Sequence, residues 1–257
     1  MKKSVLLLFV VCLFVAASLT AHATVTTAQI LKQMDDLQTL QEDVTAKVSI
    51  VQQDVDQGQR NMEAIFFAKN IQDLFLIVMT QPESEKGNGY LKNQDKFWMY
   101  RRNTRTFQII SRDESIGGSD ANAGDFETPQ YQKQYRAVLD AAGKESIRSE
   151  TLGNIPVYRV EIAAKTSDVS YPKKILWVRQ DHFLPLKEQN FAKSGTLMST
   201  QYYLKYTQIK GRYIAIWQMA IDEFEKGNKT VWQISNIQFA PLADSVFTKA
   251  YLENLSK

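Results

Sequence analysis

The feature that most constrains this chain is a long series of short segments whose apolar residues recur at every second position. The first has its apolar residues at Val44, Ala46, Val48 and Ile50. A period of two is that of a β-strand, whose successive side chains point to opposite faces. Segments of this kind continue to residue 239, and the last two meet at the turn signal Gly227-Asn228. The pattern predicts about 11 strands.

Helical signals are few. Thr26 or Thr27 can cap a helix whose apolar residues, three and four positions apart, are Ile30, Leu31, Met34 and Leu37. No linker rich in Pro or Ser divides the chain, and no repeat of fixed length is present. We therefore expect a mainly β domain with helices (α+β), in which one antiparallel sheet curls on itself and helices pack against one side.

Several predicted strands are apolar on both faces. In the segment 213–221, Trp217 and Met219 share one face, while Ile214 and Ile216 lie on the other. A sheet with one solvated face would alternate cleanly between apolar and polar residues. Helices, another layer or a ligand must therefore cover the second face. An ordinary filled core is the plain alternative, because aromatic side chains fill β-sheet cores routinely.

The N-terminus has the three parts of a secretory signal peptide. Lys2 and Lys3 precede an apolar run over residues 5–19, and Ala21-His22-Ala23 is a small-x-small cleavage site. The run is short for a membrane span of about 20 residues. We expect cleavage after residue 23, which leaves a single domain over residues 24–257 in the periplasm. Lipid anchoring at Cys12 is not favoured, since Cys12 lies mid-way through the apolar run.

Cleavage would narrow the chemistry that is available to the mature chain. Cys12, the single cysteine, would be lost, and His182 would be the one histidine that remains. Zinc sites need several Cys or His ligands, so no metal or other cofactor is expected. Loss of Lys2 and Lys3 lowers the formal net charge from +3 to +1, which is too weak for a nucleic-acid surface. His182 has no nucleophile-elbow serine near it in sequence, and a turn residue is the simpler interpretation.

Two acids in a Gly- and Ser-rich stretch deserve a chemical hypothesis. Asp120 and Asp125 could act as paired acids in hydrolysis, or as oxygen ligands of calcium. The spacing of an EF-hand loop is absent, however. Capping of a following helix explains both residues equally well, and we favour that structural role.

Residues 87–125 carry a resemblance to a known family. Within them, two aromatic segments and a Gly-Ser-Asp loop follow in a fixed order: Gly89, Tyr90 and Leu91, then Trp98 and Tyr100, then Gly118, Ser119 and Asp120, then Asp125. The order and spacing resemble the outer-membrane lipoprotein-sorting family of LolA and LolB. The branch that the chain resembles most is the longer one, often associated with RND-type exporters.

The resemblance implies a fold and a function. LolA-like folds are incomplete β-barrels with a helical lid or plug, and their interior accepts acyl chains. We therefore expect a non-enzymatic, monomeric periplasmic carrier of lipoprotein acyl chains, phospholipid or glycolipid, moving its cargo towards the outer membrane. Its expected partners are an inner-membrane RND-type exporter or an outer-membrane acceptor, with transient membrane contact. The alternatives are an envelope sensor of the RseB type and an envelope hydrolase that uses Asp120 and Asp125.

The alternation of side chains along each strand sorts the candidate ligand contacts into two faces, although it leaves open which face points inwards. The residues that we predict to line the cavity are Phe66, Leu76, Trp98, Tyr100, Leu176, Tyr202, Leu204 and Trp217.

Overall fold

The computed structural model describes residues 25–256. The predicted signal peptide, with Cys12 and its cleavage site, lies outside these residues, as do both end residues of the predicted domain. The first half of the described chain holds one helix and six strands: α1 (Thr27–Gln38), β1 (Asp43–Asp54), β2 (Gly58–Lys69), β3 (Leu74–Gln81), β4 (Gly89–Asn93), β5 (Lys96–Arg101) and β6 (Thr106–Ile110).

The second half holds two helices and eight strands. They are α2 (Tyr131–Gln134), β7 (Tyr135–Ala137), β8 (Ile147–Leu152), β9 (Ile155–Ala164), β10 (Lys173–Arg179), β11 (Pro185–Phe191), β12 (Leu197–Ile209), β13 (Arg212–Asp222), β14 (Lys229–Phe239) and α3 (Lys249–Leu255). A 3-10 turn, Ala123–Phe126, precedes α2, and another, Asp244–Phe247, precedes α3.

All 14 strands belong to one antiparallel sheet. Its order is β6-β5-β4-β3-β2-β1-β14-β13-β12-β11-β10-β9-β7, and β8 also pairs with β9. The first and last strands, β1 and β14, pair at the middle of the sheet. Among the described residues, the end strands β6 and β7 do not pair with each other, so the sheet is not closed.

The observed strand count exceeds the predicted one of about 11. One strand that no pattern could reveal is β7, which has three residues. A period of two needs more positions than that to be recognised. The prediction of a mainly β, antiparallel and unclosed sheet with few helices is confirmed.

The two faces of the sheet have separate cores. On β3, Phe75, Ile77 and Met79 belong to a large cluster on the face that we call inner. Leu76 and Val78 lie between them in sequence and pack on the outer face, against the C-terminal segment. This alternation explains why the continuous apolar run of β3 is buried on both sides.

Helices cover both faces of the sheet. The side chain of Thr26 accepts from the backbone N–H of Gln29 and starts α1, as predicted. Ile30, Leu31 and Met34 of this helix are buried on the inner face, and each buried side chain of this kind stabilises the fold by about 1.5–3 kcal/mol. On the outer face, Leu252 of α3 packs against β3 and β4. Within the described residues, no helix is long and apolar enough to cross a membrane.

Candidate functional site: a cavity on the inner face

The inner face encloses a cavity of about 270 Å³. Its walls come from the neighbouring strands β10 to β14 and from β1. The segment 122–135, which contains α2, and the last turn of α1 complete the enclosure. The cavity therefore lies over the middle strands of the sheet, beside the end of α1.

One wall of the cavity is apolar. Leu40 and Val44 are buried there, and they pack with partly buried residues of β13 and β14, namely Ile214, Ile234 and Ile237. The rings of Phe66 and Phe126 extend this surface, with 5.7 Å between their centroids. Apolar side chains in these positions offer a surface for hydrocarbon.

The opposite wall is polar and contains a buried ion pair. Lys174 of β10 pairs with Glu188 of β11, and their side chains are 12% and 3% exposed. The second carboxylate oxygen of Glu188 accepts from the Tyr131 hydroxyl at 2.8 Å. Burial alone would lower the pKa of Lys174, but the neighbouring Glu188 carboxylate raises it above its usual range. Lys174 therefore stays charged at any physiological pH.

Tyr203 also lines the cavity, and it stacks on Tyr206, which is not one of the lining residues. The rings of Tyr203 and Tyr206 are stacked, with centroids 6.2 Å apart, and the Tyr206 hydroxyl donates to the carbonyl of Pro185 at 2.7 Å. Burial raises the pKa of Tyr131, Tyr203 and Tyr206 well above the ordinary value. These hydroxyls consequently remain protonated, and each can donate a hydrogen bond.

Structural hydrogen bonds hold the carboxylates of the Gly-Ser-Asp loop and of the 3-10 turn that follows it. The Thr230 hydroxyl donates to Asp120 at 2.7 Å. Asp125 accepts from the backbone N–H of Asn122 at 2.8 Å, as part of a capping box on the 3-10 turn. The capping role that we favoured for Asp125 is thus present. Among residues 25–256, no group of three or more Asp, Glu, His or Cys side chains could hold a metal ion.

Of the predicted cavity residues, Phe66 lines the cavity and Leu176 lies on the same face beneath α1. Leu76, Trp98 and Tyr100 lie on the outer face, in the cluster formed with α3. The ammonium of Lys249 is 3.1 Å from the centre of the Trp98 ring. The predicted cavity position of these three residues is corrected accordingly, because the inner residues of β5 are Phe97 and Met99.

The predicted residues of β12 and β13 also lie away from the cavity. Leu204 and Trp217 are 47% and 40% exposed, and the ring of Tyr202 lies under Lys187 on the outer face. The cavity instead receives Tyr203 and Gln218, which are paired across the two strands. The parity groups were formed correctly at Tyr202 and Leu204, but their outer face was taken for the inner one.

Sequence reasoning missed the residues of the polar wall, chiefly Tyr131, Lys174, Glu188, Asn190 and Gln201. A polar residue within a strand is ordinarily interpreted as facing solvent. Only β10 carried a usable signal. Two lysines precede its apolar run, and because successive side chains of a strand point to opposite faces, one of the two lysines must share the buried face.

The comparisons with known proteins agree with this geometry. A family model described as "Uncharacterized protein" matches residues 72–254. A LolA superfamily protein from Nitrosomonas europaea superposes with a TM-score of 0.74 at 23% identity, over 88% of this chain and 99% of that chain. The chain belongs to the family that this model describes, and it has the fold of the LolA superfamily protein.

Two further solved structures share the fold. A domain assigned to outer membrane lipoprotein-sorting proteins, from Vibrio parahaemolyticus, has a TM-score of 0.75 at 18% identity and covers 88% of this chain and 97% of that chain. A DUF1329 family protein from Desulfovibrio piger has the same TM-score and coverages at 21% identity. No curated protein matches the chain.

Proposed function

We propose that this LolA-like protein is a periplasmic, non-enzymatic carrier that holds an acyl chain of a lipoprotein or lipid in the inner-face cavity and moves it towards the outer membrane. The observation that carries the proposal is the cavity itself: about 270 Å³ of unfilled space with an apolar wall, inside an unclosed sheet. A sheet that served only as a scaffold would fill this space with side chains.

The volume suits one chain better than several. Ligand pockets commonly measure about 300–1,000 Å³, so this cavity is near the lower end of that range. Each methylene transferred from water contributes about 0.8 kcal/mol. Ten buried methylenes would thus supply roughly 8 kcal/mol, against an association cost of about 4–15 kcal/mol. Reversible binding follows, which is what a carrier requires.

The open sheet also supports a carrier. Because β6 and β7 do not pair with each other among the described strands, these two edges of the sheet can move apart without breaking a ladder of hydrogen bonds between them. A second chain could then enter a widened cavity, with α1 and the 122–135 segment acting as the lid. Delivery by the predicted signal peptide, residues 1–23, would place the carrier between an inner-membrane exporter of the RND type and an outer-membrane acceptor.

The direct test is native mass spectrometry of gently purified protein, followed by organic extraction of the bound material. We expect co-purifying lipid or acylated peptide. Ile234→Asp places a carboxylate on the apolar wall and should empty the protein. Trp217→Asp is the matched control, because Trp217 is 40% exposed on the outer face, and it should keep its lipid. Protein that is consistently empty, or lipid loss in the control alone, would contradict the proposal.

A further inference from the structure

The cavity has two chemically different walls, and this difference suggests what kind of head group its ligand carries. We propose that the polar wall is a head-group subsite, selective for a single-chain amphiphile whose head donates hydrogen bonds and carries no negative charge. The inference rests on the proposed carrier function and adds a ligand class to it. Three observations support it: an unsatisfied acceptor, the charges of the lining and the cavity volume.

The unsatisfied acceptor is the side-chain oxygen of Asn190 on β11. Asn190 is 3% exposed and lines the cavity. Its amide nitrogen donates to the Ser199 hydroxyl at 3.1 Å, whereas its Oδ1 atom has no hydrogen-bond partner within the protein. A buried carbonyl without a donor destabilises the folded protein. A ligand hydroxyl or amide N–H placed at Asn190 would remove that destabilisation.

The neighbouring groups are already engaged and do not compete for this role. Glu188 uses one oxygen for Lys174 and the other for the Tyr131 hydroxyl. The amide nitrogen of Gln201 donates to Gln218 at 2.9 Å. Asn190 Oδ1 is therefore the acceptor of the polar wall that lacks a donor, and a ligand head group must displace the atoms that cover it in order to reach it.

The charges of the lining argue against an anionic head. Lys174 is neutralised by Glu188, and Arg112 pairs with Glu127 at 3.1 Å. Glu127 also contacts Lys92, which is in turn paired with Asp73, so this second group is neutral as a whole. Asp125 is the remaining charged residue of the lining, and it accepts a hydrogen bond from the backbone N–H of Asn122. The lining as a whole thus favours a neutral head over a carboxylate or phosphate.

The cavity volume in this structure suits a single chain. At about 270 Å³, the space accommodates one chain along Val44, Ile214 and Ile234, with its head across the cavity at Asn190. The expected ligand class is a monoacyl lipid with a hydroxyl or amide head.

The test is a head-group series of constant chain length, measured by calorimetric titration of the unmodified protein below the micellar concentrations. The probes are monolauroylglycerol, methyl laurate and laurate. We expect monolauroylglycerol to bind roughly tenfold more tightly than the methyl ester, which lacks the donor. Laurate should bind more weakly than monolauroylglycerol by a similar factor. This series needs no variant, so it tests the inference even if substitutions disturb folding.

Asn190→Leu locates the effect. It should abolish the preference for monolauroylglycerol over the methyl ester and leave binding of the ester unchanged. Gln52→Leu is the matched control, because Gln52 is also buried with an unsatisfied side-chain oxygen but does not line the cavity. Equal affinity for the glyceride and the ester, or a preference that survives Asn190→Leu, would overturn the inference alone. Absence of binding by all three probes would overturn the carrier proposal with it.

Discussion

The ion pair between Lys174 and Glu188 offers the sharpest test of how the polar wall is built. Its side chains are 12% and 3% exposed, and Tyr131 completes the hydrogen bonding of the carboxylate. Lys174→Met would leave the Glu188 carboxylate buried with one neutral donor. Breaking a buried pair on one side costs about 3–5 kcal/mol, which is a large part of a total stability of about 5–15 kcal/mol.

The double variant Lys174→Met/Glu188→Gln should recover much of that loss. It removes both charges and keeps an acceptor for the Tyr131 hydroxyl, so we expect its total cost to be about 1–2 kcal/mol, similar to that of one neutral hydrogen bond. Urea unfolding of the wild type, both single variants and the double variant completes a double-mutant cycle. The expected coupling energy is about 2 kcal/mol or more.

An exposed ion pair provides the control for this cycle. Lys32 and Asp36 pair on α1 with side chains 55% and 48% exposed, and Lys32→Met should change the stability by less than about 1 kcal/mol. If Lys174→Met cost no more than Lys32→Met, or if the costs at Lys174 and Glu188 simply added, the argument that this wall is a buried and coupled network would be refuted.

Two further predictions concern packing and pH. A Cβ atom added at Gly89 would lie 2.5 Å from the Leu252 side chain and 2.8 Å from the carbonyl oxygen of Ile77. Gly89→Ala should therefore destabilise the protein by about 1–3 kcal/mol, measured by thermal unfolding. An unchanged melting temperature would refute the contact between α3 and β4. Burial raises the pKa of Asp125 from 3.8 to about 6, so folding disfavours its ionised form, and the unfolding free energy should fall as pH rises from about 4 to about 6. Asp125→Asn should remove that part of the slope, and equal slopes for variant and wild type would contradict the shift.

The sequence alone predicted the strands well because each strand carries its own evidence. The alternation in β1 and β2 and the turn at Gly227-Asn228 correspond to observed strands and to the observed pairing of β13 with β14. The cap at Thr26 and the stripe over Ile30, Leu31 and Met34 likewise correspond to α1. These signals are local, so they do not depend on what the rest of the chain does.

The inward face could not be predicted, for a physical reason that β5 illustrates. Phe97 and Met99 face the inner core, whereas Trp98 and Tyr100 face α3 on the outer side. Both faces of the strand are covered, so all four side chains are apolar. The alternation of side chains along the strand therefore separates the two groups, but it does not show which group faces inwards. In β12, the register also shifts between Tyr203 and Tyr206, which puts the two stacked rings on one side although they are three positions apart.

What the sequence by itself determined is the set of strands, their alternation, the first helix and a resemblance to a family with an unclosed sheet. The tertiary structure decided where the cavity lies and what lines it. Tyr131, Lys174 and Glu188 come together only because α2, β10 and β11 converge on the inner face. Each polar side chain looks solvated within its own segment, and only the approach of distant segments buries it.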